Sequence, residues 1–183
     1  LIVGYGSIGK RHARLARNLL PHANIIIFRH KASKKIKYPH VDHCVTNLKD
    51  AIKHRPQIAI IANPATLHVK IAYTLAKLGI HLLIEKPISN SSKNVSNLIN
   101  FCRKKKIVLM IGYNLRFMTS LKKLREILKK NIIGKILSIR SEVGQYLPLW
   151  RPNTDYTNSV SAKKKFGGGV LLELSHDIDY LVW

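Results

Sequence analysis

The stretch Leu1-Ile2-Val3-Gly4-Tyr5-Gly6-Ser7-Ile8-Gly9 decides how the rest of the chain is read. An apolar run, three glycines in a G-x-G-x-x-G pattern and a helical pattern follow one another directly. Gly4 permits a tight turn, Gly6 lets a phosphate approach the backbone, and Gly9 lets helix and strand pack closely. The unsatisfied N–H groups and the dipole at the helix start, where Ser7 and Ile8 sit, attract a diphosphate. The pattern alone is a weak signal, because a glycine turn can merely pack well. Its place between strand and helix makes dinucleotide binding the expected role of Gly4, Gly6, Ser7, Ile8 and Gly9.

Working outward, short apolar runs alternate with helical stretches, which predicts α/β architecture with a doubly wound parallel sheet. A helix over residues 7–20 carries Ile8, Leu15 and Leu19 at helical spacing and stops at Pro21. Strands are expected over 24–28, 41–45, 58–62, 81–84 and 107–111, with helices over 48–54, 66–78 and 92–105 between them. After Phe117 the character changes to a basic amphipathic helix with Leu121, Leu124, Ile127 and Leu128, ending near Gly134. The alternation Ile136, Ser138, Ile139, Ser141, Val143 then predicts a strand with one solvated face, belonging to a different sheet. These features predict a nucleotide-binding domain over residues 1–118 and the beginning of a second, α+β domain over 119–183. The short opening strand without Met, and the close at Trp183 inside an apolar helical pattern, suggest a fragment.

Charge raises a rival hypothesis. The chain has 32 Lys+Arg against 9 Asp+Glu, a formal net charge of +23. Non-specific attraction to polyanions follows. The basic residues are scattered along the whole chain, however, with no aromatic-interleaved stripe and no zinc-finger spacing, so no specific nucleic-acid partner is expected. Cys44 and Cys102 form neither a metal-ligand spacing nor a disulfide framework. No apolar run reaches the ~18 residues of a membrane span, and no secretory segment is visible. The default expectation is a cytoplasmic protein without metal.

Three further segments could carry chemistry. At the end of the second strand stands Arg29-His30-Lys31, with no acid until Asp42. An acid there would accept from the adenosine ribose 2′-hydroxyl, whereas cations suit a 2′-phosphate, so Arg29 and His30 favour NADP with NAD still possible. Simple membership of the scattered basic set is the alternative. Glu85-Lys86-Pro87 follows an apolar strand at the edge where open α/β sheets bind ligands. A lysine there can stabilise charge on a reacting oxygen, although a lysine after a strand is more often just solvated. Gly167-Gly168-Gly169 introduces a helical pattern in which Glu173 and His176 are three apart, hence on one helix face. His176 has the chemistry of a general base. A Glu-x-x-His metal pair would need further carboxylates that a chain with nine acids can hardly supply. A helix cap with an ordinary surface histidine is the plain reading.

Taken together, G-Y-G-S-I-G-K-R-H, A-N-P-A-T-L-H, E-K-P, G-Y-N-L-R-F and G-G-G-V-L-L-E-L-S-H-D-I-D resemble the glucose–fructose oxidoreductase / inositol dehydrogenase / MocA family, in this order and across essentially the whole chain. The resemblance implies a Rossmann domain followed by an α+β domain that flanks the active site and often mediates homo-oligomer formation. It implies that Gly4, Gly6 and Gly9 hold the pyrophosphate and that Asn63, Pro64 and His68 border the cofactor. It also implies that Glu85 approaches the nicotinamide ribose, with Asn114 near the nicotinamide pocket. Lys86 becomes the catalytic lysine, with Pro87 after a cis bond, and His176 the proton acceptor. Many members carry Asp-x-x-x-His after the glycines; here the spacing is Glu-x-x-His, which puts the role of Glu173 in doubt. The loop from Tyr146 to Lys165, with Trp150, Arg151, Asp155 and Tyr156, is expected to contribute to the pocket of a sugar-like substrate. The implied activity is hydride transfer between NADP(H) or NAD(H) and a secondary alcohol or ketone of a sugar, nucleotide-sugar or cyclic polyol. The alternative is a non-catalytic dinucleotide-binding remnant.

Overall fold

Runs of Ile, Leu, Val and Ala too short for helices become strands, because only a sheet interior pairs their backbones while burying both faces. In the computed structural model, which describes residues 1–30, 37–150 and 155–183, these runs form β1 (Ile2–Val3), β2 (Ile26–Phe28), β3 (His43–Val45), β4 (Ile58–Ile61), β5 (His81–Ile84) and β6 (Leu109–Ile111). All neighbours are parallel, in the order β3-β2-β1-β4-β5-β6. The helices between them are α1 (Ser7–Leu19), α2 (Leu48–Lys53), α3 (His68–Ala76, entered through a 3₁₀ turn at Ala65–Leu67) and α4 (Val95–Lys104). The chain divides into two compact units, Leu1–Gly112 and Tyr113–Trp183, and all of this sheet lies in the first.

Period-two alternation sends successive side chains to opposite faces of the sheet. Val3, Ile26, Phe28, Ile61, Leu82 and Ile84 pack with Ala51 of α2, Ala72 and Leu75 of α3, and Leu98 and Cys102 of α4. Ile2, Ile25 and Ile27 pack on the other face with Ala13 of α1, together with Tyr5. Strand order reverses between β1, which leads to β2 on one side, and β4 on the other. The carboxyl ends of β1 and β4 therefore border the crevice where such sheets take ligands. Beyond β4, the α1 side of the sheet within this unit is less covered, with Leu83 half-buried and Met110 50% exposed.

The second unit contains a 3₁₀ turn at Asn114–Phe117, then α5 (Thr119–Lys129), α6 (Val170–Glu173) and α7 (Ser175–Val182). Two expectations are corrected here. Residues 136–143 form no strand: Ile136, Ile139 and Val143 are exposed, and no described segment offers that backbone a partner. Alternation is a property of one segment, but a strand exists only as a pair. Glu173 and His176 also do not share a continuous helix face. The Leu174 N–H bonds the Val170 carbonyl, but Leu174 turns out of helical geometry at φ −101°, ψ 23° and the Asp177 N–H returns to the Leu174 carbonyl. The helix is thus interrupted, with Glu173 closing α6 and His176 in α7.

Candidate cofactor-binding site

The glycine turn is built from close backbone contacts. Gly4 has φ +92°, and a Cβ on it would lie 2.8 Å from the Ala62 carbonyl oxygen and 3.0 Å from the Asn63 Cα, at the end of β4. A Cβ on Gly9 would overlap the Gly4 carbonyl oxygen. Gly6 differs: a Cβ there would meet nothing within 4 Å. Gly6 is also the N-cap of α1, with no side-chain cap and no acid in the first turn. Ser7 and Ile8 are exposed at the helix start. Two glycines are required by packing, then, while the third leaves open space over the first N–H groups of α1, which have no intrahelical partner. That geometry fits an anion, and the diphosphate of a dinucleotide is the anion expected at this position.

Around this turn lie the other expected residues of the first unit. The Asn63 Oδ1 is buried with no hydrogen-bond partner, and Pro64 caps the 3₁₀ turn that enters α3. An orphaned acceptor at the crevice is the kind of group that a bound donor satisfies. His68 is only 1% exposed, with Nε2 at 2.7 Å from the Asn63 carbonyl oxygen and Nδ1 at 2.9 Å from that of Pro87. It thus stitches the Asn63 loop to the Glu85-Lys86-Pro87 turn. Burial pushes its pKa down, against the pull of the two carbonyls and of Glu85. As a neutral imidazole with one N–H, it donates to one carbonyl at a time. The Lys86–Pro87 bond is cis.

Glu85 follows β5 directly, and its N–H donates to the Ile61 carbonyl at 2.9 Å. Its carboxylate lies 2.5 Å from His12 Nε2 on α1. Burial pushes its pKa up, but the bond and charge of His12, with smaller help from Lys86, outweigh that and hold it below the ordinary value. Lys86 is half-buried in the same turn. Neither His12 nor Gly112, whose missing Cβ leaves room for the Glu85 carboxylate, carries a sequence signal of its own for this contact.

At the second strand, Arg29 donates its N–H to the Val45 carbonyl, and its guanidinium stands 5.4 Å from the centre of the Tyr38 ring. The His30 ring meets Phe28 edge-on at 5.3 Å. Tyr5, inside the glycine turn, donates its hydroxyl to the Pro39 carbonyl at 2.7 Å and contacts Tyr38 edge-on. Asp42 is engaged elsewhere: its Oδ2 accepts from the Ile25 N–H at 2.7 Å and from Arg17 at 2.6 Å, before β2 begins. Lys31 and Arg151 lie outside the described residues.

In the second unit, Asn114 is exposed at the start of the 3₁₀ turn. His176 is half-buried and meets Tyr113 edge-on at 5.6 Å. Arg116 grips Asp179 of α7 with two parallel bonds, Nε–Oδ2 at 2.7 Å and Nη2–Oδ1 at 2.6 Å. Such a fork fixes geometry as well as charge, and it raises the Arg116 pKa further. Trp183 lies under the guanidinium of Arg125 at 4.1 Å. The loop expected to line a substrate pocket borders a cavity of about 320 Å³, with Trp150, Asp155, Tyr156 and Ser159 among its walls.

An open parallel sheet with an uncapped, glycine-lined helix start at its switch point defines a dinucleotide-binding α/β protein of the Rossmann class. Within that class the chain belongs to the Gfo/Idh/MocA family, whose model, described as an oxidoreductase family with an NAD-binding Rossmann fold, matches residues 1–113. Similar proteins include an uncharacterized oxidoreductase of Bacillus subtilis, 28% identical over 97% of this chain and 51% of its own length. A levoglucosan dehydrogenase of Pseudarthrobacter phenanthrenivorans is 32% identical over 67% of this chain and 32% of its own. A solved scyllo-inositol dehydrogenase from Lactobacillus casei, with bound NAD(H) and scyllo-inositol, shares the fold at a TM-score of 0.63 and 20% identity, covering 73% of this chain and 41% of that one. The chain spans about half the length, or less, of these relatives. Among the described residues no helix is long and apolar enough to cross a membrane.

Proposed function

We propose that the chain holds a nicotinamide dinucleotide across the carboxyl ends of β1 and β4, and that the protein transfers a hydride between this cofactor and a secondary alcohol or ketone of a sugar, nucleotide-sugar or cyclic polyol. The observation that carries the reading is the contrast among the three glycines: Gly4 and Gly9 are closed by packing, and Gly6 is open over an uncapped helix start. Ser7, Ile8 and Gly9 present backbone N–H groups to the diphosphate. Asn63 and Pro64 border the cofactor, with His68 holding that loop from beneath. Glu85 accepts from the nicotinamide ribose, and Asn114 belongs to the nicotinamide pocket.

When bound, the nicotinamide ring supplies the hydride acceptor or donor. In the oxidation direction, Lys86 donates a hydrogen bond to the substrate oxygen and stabilises the charge that gathers on it. His176 takes the hydroxyl proton as the C–H hydride leaves, so that the carbinol becomes a carbonyl. Glu173 closes the short helix before His176 and, no longer on one helix face with it, is assigned no step of its own. Arg29 and His30 read a 2′-phosphate and so favour NADP, which the engagement of Asp42 at the other end of the sheet supports.

The experiment is turnover of a panel of sugars and inositols, followed by nicotinamide absorbance, for the protein beside Lys86→Ala and His176→Ala. A loss of about 100-fold or more is expected in each variant, and unchanged turnover in both overturns the assigned roles. For cofactor choice, Arg29→Asp is expected to move preference from NADP to NAD; equal preference in variant and parent removes Arg29 from the phosphate site.

A further inference from the structure

We propose that His12 is a positioning residue for the Glu85-Lys86-Pro87 turn, fixing the Glu85 carboxylate on the α1 side of the sheet where the nicotinamide ribose is received. The inference rests on the cofactor-binding reading of the glycine turn. Alternation along β5 sends Ile84 into the core formed with α3 and α4, so the next residue, Glu85, faces the α1 side. Gly112 follows Ile111, another member of that core, and faces the same way. A Cβ there would press on Glu85 at 3.1 Å from Oε2 and 3.2 Å from Cδ, so glycine leaves the carboxylate its place.

On α1, His12 lies one turn after the buried Gly9 and so projects from the same, sheet-facing side of the helix. Its Nε2 reaches Glu85 Oε1 at 2.5 Å, across a sequence separation of 73 residues. Both side chains are largely buried, with exposures of 18% and 20%. An ionised carboxylate can only accept, so Nε2 carries the hydrogen and donates. The far end of the same turn is held by His68, whose Nδ1 sits at 2.9 Å from the Pro87 carbonyl oxygen. Two imidazoles, from helices packed on opposite faces, therefore bracket the residue assigned to the reacting oxygen. His12 also rides on the helix whose start receives the diphosphate, which ties the phosphate end of the site to the ribose end. A charge-assisted bond in so dry a place keeps the carboxylate in one rotamer, and a ribose hydroxyl then meets a fixed acceptor.

The test is titration of the chain with NADH and with NADPH, read by nicotinamide fluorescence, for the parent, His12→Ala, His12→Gln, Glu85→Ala and the His12→Ala/Glu85→Ala double variant, each with its thermal melting curve. His12→Ala is expected to weaken binding of the preferred nucleotide about tenfold, and His12→Gln, which restores an N–H at a similar reach, to recover most of it. In the Glu85→Ala background, removing His12 should cost nothing more, because its partner is already gone. A fully additive double variant, or a His12→Ala chain that binds like the parent, overturns the positioning role. If His12→Ala fails to fold, the His12→Gln and Glu85→Ala chains still decide: His12→Gln should bind nearly as the parent while Glu85→Ala loses affinity, and equal losses in both overturn the positioning role. A parent that binds neither nucleotide overturns the cofactor reading itself and this inference with it.

Discussion

In the first unit, Ile2, Ile26, Ile27, Ile61, Leu82 and Ile84 are all but sealed from solvent between helices on both faces of the sheet. In the second, Ile132, Ile133, Ile136, Leu137 and Ile139 are exposed, and the only buried non-glycine residue among those described is Ser175. Overall composition does not separate these two segments, since both are rich in isoleucine and leucine. What separates them is pairing. Each of β1 to β5 finds its next neighbour within about 60 residues and β6 joins the edge, so every backbone in the sheet has a partner and its side chains become a core. Residues 136–143 have the right side chains and, among the described residues, no strand to pair their backbone with. The second unit is held instead by directional polar contacts: the Arg116–Asp179 fork, the Tyr180 hydroxyl donating to Asp177 at 2.6 Å, and the stacking of Arg125 on Trp183.

If that contrast is right, substitutions should act in separate ways in the two units. The largest effect is expected for Ile61→Ala, which empties a site with no solvent exposure between β4 and its helices. It should cost about 2–5 kcal/mol in urea unfolding of the first unit. Next comes Asp179→Ala, which strands the Arg116 guanidinium and removes a carboxylate only 9% exposed. A loss of about 1–3 kcal/mol is expected, seen as faster amide exchange in residues 114–117 and 175–182 with the sheet unaffected. Faster exchange in β1 or β4 would break the comparison.

A pH experiment sharpens it further. His68 titrates lower in the fold than in the unfolded chain because it is buried. On acidification the unfolded chain therefore takes the proton first, from the ordinary histidine value of about 6.5 downward, and stability of the first unit falls. One such proton gives a slope of at most about 1.4 kcal/mol per pH unit. The Glu85 carboxylate acts in a separate window: its folded pKa is lowered, so its contribution holds at neutral pH and is lost in acid, from about pH 4 downward. His68→Gln should flatten the upper window alone, measured by melting temperature between pH 7 and 5. The smallest effect belongs to Leu137→Ser, at a side chain 88% exposed: within about 0.5 kcal/mol, by the same urea measurement.

The sheet was legible in the sequence because a buried parallel strand is a local signal: 58–62 and 81–84 read as strands from their apolar runs and their stops alone. The glycine turn was legible for the same reason, since its function and its spacing lie within nine residues. The expected strand at 136–143 failed because half of a strand's definition lies in its neighbour. Glu173 and His176 failed as one helix face because their spacing assumes a continuous helix, and the geometry of Leu174 breaks it. The His12–Glu85 bond joins two helix-and-strand units, and no local pattern marks it. Period two along β5 would have placed Glu85 on the α1 side, and helical spacing from Gly9 would have placed His12 opposite it.

The central claim, that a diphosphate rests on the start of α1, is tested most directly by Gly6→Asp. The Cβ has open space, the φ of −77° suits any residue, and Asp is a favoured N-cap, so the fold should melt at or above the parent's temperature. Its carboxylate would nonetheless stand where the diphosphate binds. NADH and NADPH titrations should show affinity reduced by about 100-fold or more, against a fully folded chain. A Gly6→Asp chain that binds either nucleotide as tightly as the parent would contradict the account.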